Sequence, residues 1–225
     1  MKIFLCVAAV LALWVAPNAA VDCSHNKCSE RGQVQTLCRY TNPNPTSACG
    51  QVHRVGLTEA EKTEVVNRHN ELRAYVAAGK ETRGAPGPQP PAANMQRMQW
   101  DDELAEVAQR WANQCQFGHD QCRDVDRFQV GQNVASRMTS GQDNWTPKDQ
   151  IQMWYDEVTK FNRNQVNRLT TITDVGHYTQ LVWATSNRIG CGQVRYNANG
   201  WNNYYFVCNY GPTGNWMGQP IYQIK

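Results

Sequence analysis

Two stretches in the C-terminal third decide the fold: GHYTQLVW at residues 176–183 and YFVCNYGPTGN at residues 205–215. The second stretch lies in a segment rich in strand formers, 201–210, and a similar segment, 189–196, precedes it. Asn199 and Gly200 separate the two segments. An Asn-Gly pair is the strongest short hairpin signal, because both positions adopt positive φ in a two-residue turn. The sequence therefore predicts an antiparallel hairpin that turns at Asn199 and Gly200.

The register of this hairpin predicts one disulfide. With the turn at Asn199 and Gly200, Cys191 faces Cys208 across the two strands. The pair lies an odd number of steps from the turn, so it occupies a non-hydrogen-bonded position, where Cα atoms approach to about 4.5 Å. That separation is within the range that a disulfide can span.

Three helices are predicted on the N-terminal side of the hairpin, each from a capping residue and an apolar stripe. The capping residues are Thr58 with Glu61, Asp101, and Thr146 with Pro147, and Gly79 ends the first helix. The predicted buried faces are Val65, His69, Leu72 and Val76, then Leu104, Val107, Ala108, Trp111 and Cys115, then Ile151, Trp154, Tyr155 and Val158. Helices followed by strands, without regular alternation, indicate an α+β layered domain.

The N-terminal quarter has two parts before the domain begins. Residues 1–20 resemble a secretory signal peptide, with Lys2, an uncharged apolar run, and small residues at Ala19 and Ala20. That run is shorter than the roughly 20 residues that span a bilayer, and no later segment is as apolar, so we expect no membrane span. Residues 21–56 hold four cysteines and no helical period. We expect them to form an irregular arm that disulfides attach to a domain at 57–225.

Cysteine number and net charge restrict the functional class. Removal of Cys6 with the signal peptide leaves eight cysteines, and an even number in a secreted chain indicates a disulfide framework. The number of cysteines alone does not determine which of them form disulfides with each other. The net charge is +3, or +2 after removal of Lys2 (3 − 1), and no long Lys/Arg run is present. This charge gives no basis for binding nucleic acid. We expect a secreted, extracellular monomer.

The chain resembles the CAP superfamily, which comprises cysteine-rich secretory proteins, antigen 5 and plant pathogenesis-related proteins. The resemblance rests on the two C-terminal motifs and on HNELR at 69–73, WANQC at 111–115 and VGQNVA at 130–135. The loop RGAPGPQPPAANM at 83–95 and the four-cysteine arm are most similar to insect antigen 5. The resemblance implies a three-layer α-β-α sandwich with a central antiparallel sheet. It also implies four disulfides: Cys23–Cys38, Cys28–Cys122, Cys49–Cys115 and Cys191–Cys208.

The resemblance further implies a cleft built from two histidines and two acidic residues. The matching positions are His119, His177 and Glu157, but the second acid is replaced by Gln132. An amide is neither a general acid nor a general base, so the replacement argues against catalysis. Two imidazoles and a carboxylate could hold a divalent ion such as Zn²⁺. The alternative is a partly buried cluster in which His119, Glu157 and His177 hydrogen-bond one another without metal.

Three functions follow from the resemblance. The first is a non-enzymatic venom or salivary allergen of the antigen 5 type, with no required cofactor, that binds a small lipid or sterol or a host receptor. The second is a weak metal-dependent hydrolase that uses His119, His177 and Glu157. The third is a stable shell whose surface loops meet host partners. We also expect partial glycosylation at Asn144, because Asn144-Trp145-Thr146 is a sequon and the following Pro147 lowers its occupancy.

Overall fold

The sequence folds into helices and strands arranged around one sheet. A computed structural model describes residues 21–225, and the predicted signal peptide lies outside the described residues. The helices are α1 (Thr36–Arg39), α2 (Glu59–Ala77), α3 (Asp102–Ala112), α4 (Pro147–Asp156) and α5 (Gly176–Leu181). The strands are β1 (Gln51–Val55), β2 (Gln99–Trp100), β3 (Gly131–Thr139), β4 (Arg188–Ala198) and β5 (Trp201–Gly211).

The predicted hairpin is confirmed and forms the centre of the sheet. The strand order is β1-β4-β5-β3 with antiparallel pairing, and β2 adds a short parallel pairing to β4. Asn199 and Gly200 have φ values of 54° and 80°, as the turn requires. Cys191 pairs with Cys208 in the predicted register, and their Cα atoms are 4.1 Å apart.

Helices cover both faces of the sheet and complete the three-layer sandwich. Alternate residues of β5 point to opposite faces, as they do in any strand. Tyr205 and Val207 pack with Trp111 of α3 on one face. Tyr204 and Phe206 pack on the other face, in a larger apolar cluster with residues of α2, α4 and α5.

The predicted helix starts are confirmed, but two of the predicted buried faces include a residue that lies beyond the end of its helix. Thr58 and Glu61 form a capping box before α2, Asp101 caps α3, and Thr146 caps α4 with Pro147 at its first position. Both differences are at the C-terminal ends of the helices. Helix α3 ends at Ala112, so Cys115 lies beyond it, with a φ of 52° that no helix accommodates. Val158 is buried, but it lies in a 3₁₀ turn, Glu157–Lys160, after α4 has ended.

The expectation of an irregular arm is wrong in part. Residues 51–55 form strand β1, an edge strand that pairs antiparallel with β4, and residues 36–39 form the short helix α1. The pairing partner of β1 lies about 140 residues further along the chain, so no local pattern signals it. Strand β3 and helix α5 are also absent from the predicted elements.

Four disulfides join the same pairs that the family resemblance implies. Three of them involve the arm: Cys23–Cys38 closes a loop within it, while Cys28–Cys122 and Cys49–Cys115 attach it to the segment after α3. The fourth joins the two central strands. Among residues 21–225, no helix has both the length and the apolar character needed to cross a membrane.

Candidate functional site

His177 and Glu157 form one half of the predicted cleft, at the start of α5. Glu157 Oε1 accepts a hydrogen bond from His177 Nδ1 at 2.6 Å. Its Oε2 accepts from the backbone N–H groups of His177 and Tyr178 at 2.9 and 3.1 Å. These N–H groups lie in the first helical turn, where they lack intrahelical partners and where negative charge is stabilised. One carboxylate therefore caps α5 and orients the imidazole.

An aromatic stack fixes the plane of the His177 ring. The ring lies parallel to the Trp154 indole, with centroids 5.9 Å apart and planes 13° apart. Trp154 in turn stacks on Phe206, with centroids 5.5 Å apart. The His177 side chain nevertheless remains 34% exposed. The ring is therefore held rigidly while part of it still faces solvent.

His119 and Gln132 form the other half of the cleft. His119 lies in the loop after α3, and its Nδ1 is 2.8 Å from Gln132 Oε1. Gln132 Nε2 donates to Asp120 Oδ1 at 3.1 Å and to Asn209 Oδ1 at 3.0 Å. With both amide protons given to these acceptors, Gln132 Oε1 is left to accept from His119, so His119 Nδ1 carries the proton. The Nε2 atom of His119 then carries the lone pair.

The surroundings of His119 favour its neutral form. The residue is exposed overall, but partial desolvation lowers its pKa below the usual 6.5. The nearby positive charge of Arg123 and the proximity of His177 act in the same direction. The hydrogen bond to Gln132 and the charge of Asp120 oppose this shift without reversing it.

The two halves face different layers of the sandwich. Gln132 shares a face of β3 with Val134, on the α3 side, whereas Asn133 Nδ2 reaches the backbone oxygen of His177 on the other side, at 3.1 Å. The expected single cluster of His119, Glu157 and His177 is therefore two hydrogen-bonded pairs. His119 bonds to Gln132, and His177 bonds to Glu157.

The donor atoms of the cleft do not fit a resident zinc ion. Among residues 21–225, no three His, Cys, Asp or Glu side chains converge in an arrangement that could hold a metal. Each Nδ1 atom is occupied by Gln132 or Glu157, so the imidazoles offer only their two Nε2 atoms. Catalytic zinc sites take three protein ligands and structural sites take four.

Asp120 is a further residue of the site that was not predicted, and it lies against Gln132. Its side chain is 1% exposed and forms an ion pair with Arg123. It also accepts hydrogen bonds from Gln132 and from Thr36 of the arm. The sequence signal for Asp120 was its position directly after His119, but one acidic residue in a loop does not indicate burial.

A groove of about 530 Å³ lies between α2, α4 and the segment that follows α2. Its apolar lining residues are Leu72, Tyr75 and Tyr155, of which only Tyr75 is exposed. Its charged lining residues are Arg68, Glu71, Glu81 and Arg83. Arg68 pairs with Glu71, and Arg83 pairs with Glu81 and Asp156. All predicted stripe residues of these helices, Leu72 and Tyr155 included, are buried.

Asn144 is exposed in the loop between β3 and α4. The hydroxyl of Thr146, the third residue of the sequon, donates to Asp149 Oδ2 at 2.8 Å and accepts from the Asp149 N–H at 3.3 Å, within the helix cap. The acceptor amide is therefore accessible, while the hydroxyl is engaged in the folded protein.

A model of the cysteine-rich secretory protein family, CAP, matches residues 66–210. The chain is 50% identical over 219 residues to a venom allergen 3 homolog from Dinoponera quadriceps, covering 96% of this chain and 95% of that protein. It is 52% identical over 203 residues to venom allergen 5.02 from Dolichovespula maculata, covering 88% and 93% of the two chains.

Solved structures share the fold at lower sequence identity. One is NaASP2 with Zn²⁺, with a TM-score of 0.65 and 34% identity, covering 76% of this chain and 88% of the other. Another is BmVAL-1, with a TM-score of 0.67 and 30% identity, covering 75% and 84%.

Proposed function

The chain belongs to the CAP family of cysteine-rich secretory proteins, and we propose that it is a secreted venom-allergen protein of the antigen 5 type that acts by binding and not by catalysis. The observation that supports this most is the identity of about half of its residues, over nearly the whole chain, to proteins named venom allergens 3 and 5.

The geometry of the cleft supports a role without turnover. General acid–base catalysis needs a group that gains and loses a proton near the operating pH. At position 132 the amide lacks this capacity, and the Glu157 carboxylate is committed to His177 and to the start of α5. The remaining donors, two Nε2 atoms, are too few for a resident metal. Added Zn²⁺ is therefore expected to bind weakly and to be dispensable.

Catalysis is tested with a panel of ester and peptide substrates. Wild-type protein and the His119→Ala and His177→Ala variants are compared in the same preparation, with and without Zn²⁺. We expect no difference among the three. Turnover that disappears in either variant would establish the metal-dependent hydrolase instead.

Secretion and antigenic relationship are tested with the full chain expressed in insect cells. We expect protein in the medium that begins near residue 21 and carries glycan on a fraction of its Asn144 side chains, with none in Asn144→Gln. The protein should compete with venom allergen 5.02 for IgE from sensitised sera. Reduced and alkylated protein is the matched control, because it keeps the sequence and loses the disulfide-dependent fold. An absence of competition by the native protein would contradict the allergen assignment.

The groove between α2 and α4 is the proposed binding site for a small amphiphile, since its volume and its exposed Tyr75 ring beside charged side chains suit a molecule with an apolar and a polar part. Its arginines already pair with carboxylates, so a neutral lipid or sterol fits better than a free fatty acid. Mass spectrometry of organic extracts and titration with a fluorescent sterol test this. Saturable binding that weakens in Tyr75→Ser supports the site, and failure to bind any lipid leaves host proteins as the ligands.

A further inference from the structure

The Asp120 carboxylate joins three parts of the molecule. Its oxygen atoms accept hydrogen bonds from Gln132 Nε2 on β3, from Arg123 Nε in the same loop, and from Thr36 Oγ1 in the arm. The side chain is almost fully buried, so these partners, and not water, hold it in place. Asp120 is thus a contact between the arm and the sheet.

The orientation of Gln132 depends on this contact. Its amide group gives one proton to Asp120 and the other to Asn209. Asn209 is itself oriented by its own amide, which donates to the Leu104 backbone oxygen at 3.3 Å. A flipped Gln132 would place its oxygen against two acceptors, which is electrostatically unfavourable. The same flip would present an N–H group to His119 and reverse which ring nitrogen of His119 is protonated.

The arm is fixed to the same loop by a covalent bond and by hydrogen bonds. The Cys28–Cys122 disulfide ends two residues beyond Asp120. The Thr36 backbone N–H donates to the Cys122 backbone oxygen at 2.9 Å, which leaves the Thr36 hydroxyl proton for Asp120. The Cys23–Cys38 disulfide closes a loop within the arm and forms no covalent link to the segment after α3.

We propose that the disulfide-linked arm is a functional part of the cleft: Thr36 and the Cys28–Cys122 bridge hold Asp120, which acts through Gln132 to keep His119 in one tautomer with its Nε2 lone pair available. Asp120 and Thr36 are positioning residues, because their hydrogen bonds reach His119 only through Gln132. This inference concerns how the cleft presents His119 and does not depend on the proposed function.

The test is the tautomer of His119, measured from the chemical shifts of its two ring nitrogens by long-range ¹H–¹⁵N NMR. Spectra are recorded near pH 8, where imidazoles with pKa values of about 6.5 or below are neutral. The wild type should show His119 protonated at Nδ1. In Asp120→Ala, the loss of a charge-assisted hydrogen bond should reduce the ratio of the two tautomers by about tenfold. In Asp120→Asn, an oxygen acceptor remains for Gln132, and the wild-type tautomer should persist.

The contribution of the arm is tested with a matched pair of disulfide variants. Cys28→Ser/Cys122→Ser should mix the His119 tautomers, whereas Cys23→Ser/Cys38→Ser should not. If the first variant does not fold, Thr36→Val tests the same contact with all four disulfides intact and should also mix the tautomers. His177 is the internal control, since Glu157 orients it independently and its shifts should stay constant. A folded Asp120→Ala variant with the wild-type His119 tautomer would overturn the role of Asp120, and the same result in Thr36→Val would overturn that of the arm.

Discussion

Arg73 is a buried charged residue whose hydrogen-bond partners are backbone carbonyl groups. Its guanidinium donates to the backbone oxygens of Gln96, Leu181, Trp183, Ala184 and Ser186, at 2.6–3.1 Å. These bonds tie α2 to the segment that leads from α5 to β4. Arg73→Met would leave several buried carbonyls without donors, and we expect a loss of about 3 kcal/mol or more in the free energy of unfolding. Denaturant unfolding measures it.

The control for Arg73→Met is Arg97→Met, which removes an exposed arginine that lies near Arg73. Surface substitutions of this kind change stability by about 0.5 kcal/mol or less. Similar losses in the two variants would show that the carbonyl cluster contributes nothing specific.

His69 makes stability depend on pH. It is fully buried, its Nδ1 donates to the Val65 backbone oxygen at 2.8 Å, and its Nε2 accepts from the Tyr210 hydroxyl at 2.9 Å. Burial lowers its pKa from 6.5 to about 4. Between these values the unfolded chain binds more protons than the folded chain, so the stabilisation is complete above pH 6.5 and is lost as the pH falls towards 4. From pH 7 to pH 5 this loss is about 2 kcal/mol.

The measurement is the free energy of unfolding at those two pH values, for wild type and for His69→Gln. The variant should be less stable at pH 7 but should lose less stability at pH 5. His53→Gln, which replaces an exposed histidine of β1, should keep the wild-type pH dependence. An unchanged slope in His69→Gln would show that other groups cause the pH effect.

Helix α3 lies unusually close to β4 because glycine allows it. A Cβ atom on Gly192 would be 2.5 Å from the backbone nitrogen of Gln109. The Gln109 side chain hydrogen-bonds the backbone of Gln193, with its Oε1 accepting at 3.0 Å and its Nε2 donating at 2.9 Å. Gly192→Ala must push α3 away and break these bonds, so we expect a loss of about 3 kcal/mol or more.

Gly141→Ala is the matched control, because the nearest atom to its added Cβ is a side-chain oxygen at 3.6 Å. Thermal unfolding of both variants is sufficient to compare them. Equal melting temperatures would mean that α3 can shift freely over the sheet.

Elements that depend on neighbouring residues could be predicted from the sequence, and those that depend on distant residues could not. Caps such as Thr58 and Asp101, and the Asn199–Gly200 turn, were predicted because each depends on residues within a few positions. Strand β1 was not predicted, because its five mostly exposed residues acquire their structure from a distant partner. Asp120 was missed for the same reason: its burial depends on the arm, which lies more than 80 residues earlier in the chain.

The two faces of the sheet are stabilised by different means. The face covered by α2, α4 and α5 has the larger apolar cluster and no disulfide to a distant segment. The face covered by α3 has a smaller cluster, which includes Cys49, with Tyr40 of the arm packed against it. The arm therefore supplies both packing and crosslinks where the core is thin.

This division predicts unequal effects of the arm disulfides on global stability. Cys28–Cys122 spans 94 residues and Cys23–Cys38 spans 15. Because Cys49–Cys115 stays intact and links residues 49 and 115, the loop that Cys28–Cys122 closes in the unfolded chain has only about 25 to 30 residues. In the chain-entropy model the stabilisation grows with the logarithm of loop length, so replacing Cys28 and Cys122 by serine should reduce the free energy of unfolding by about 0.5 kcal/mol more than replacing Cys23 and Cys38. Guanidinium titrations of the two double variants measure the difference. A larger loss of stability on removing Cys23–Cys38 would contradict the chain-entropy model. It would show that the arm stabilises the protein through local packing or strain and not by restricting the unfolded chain.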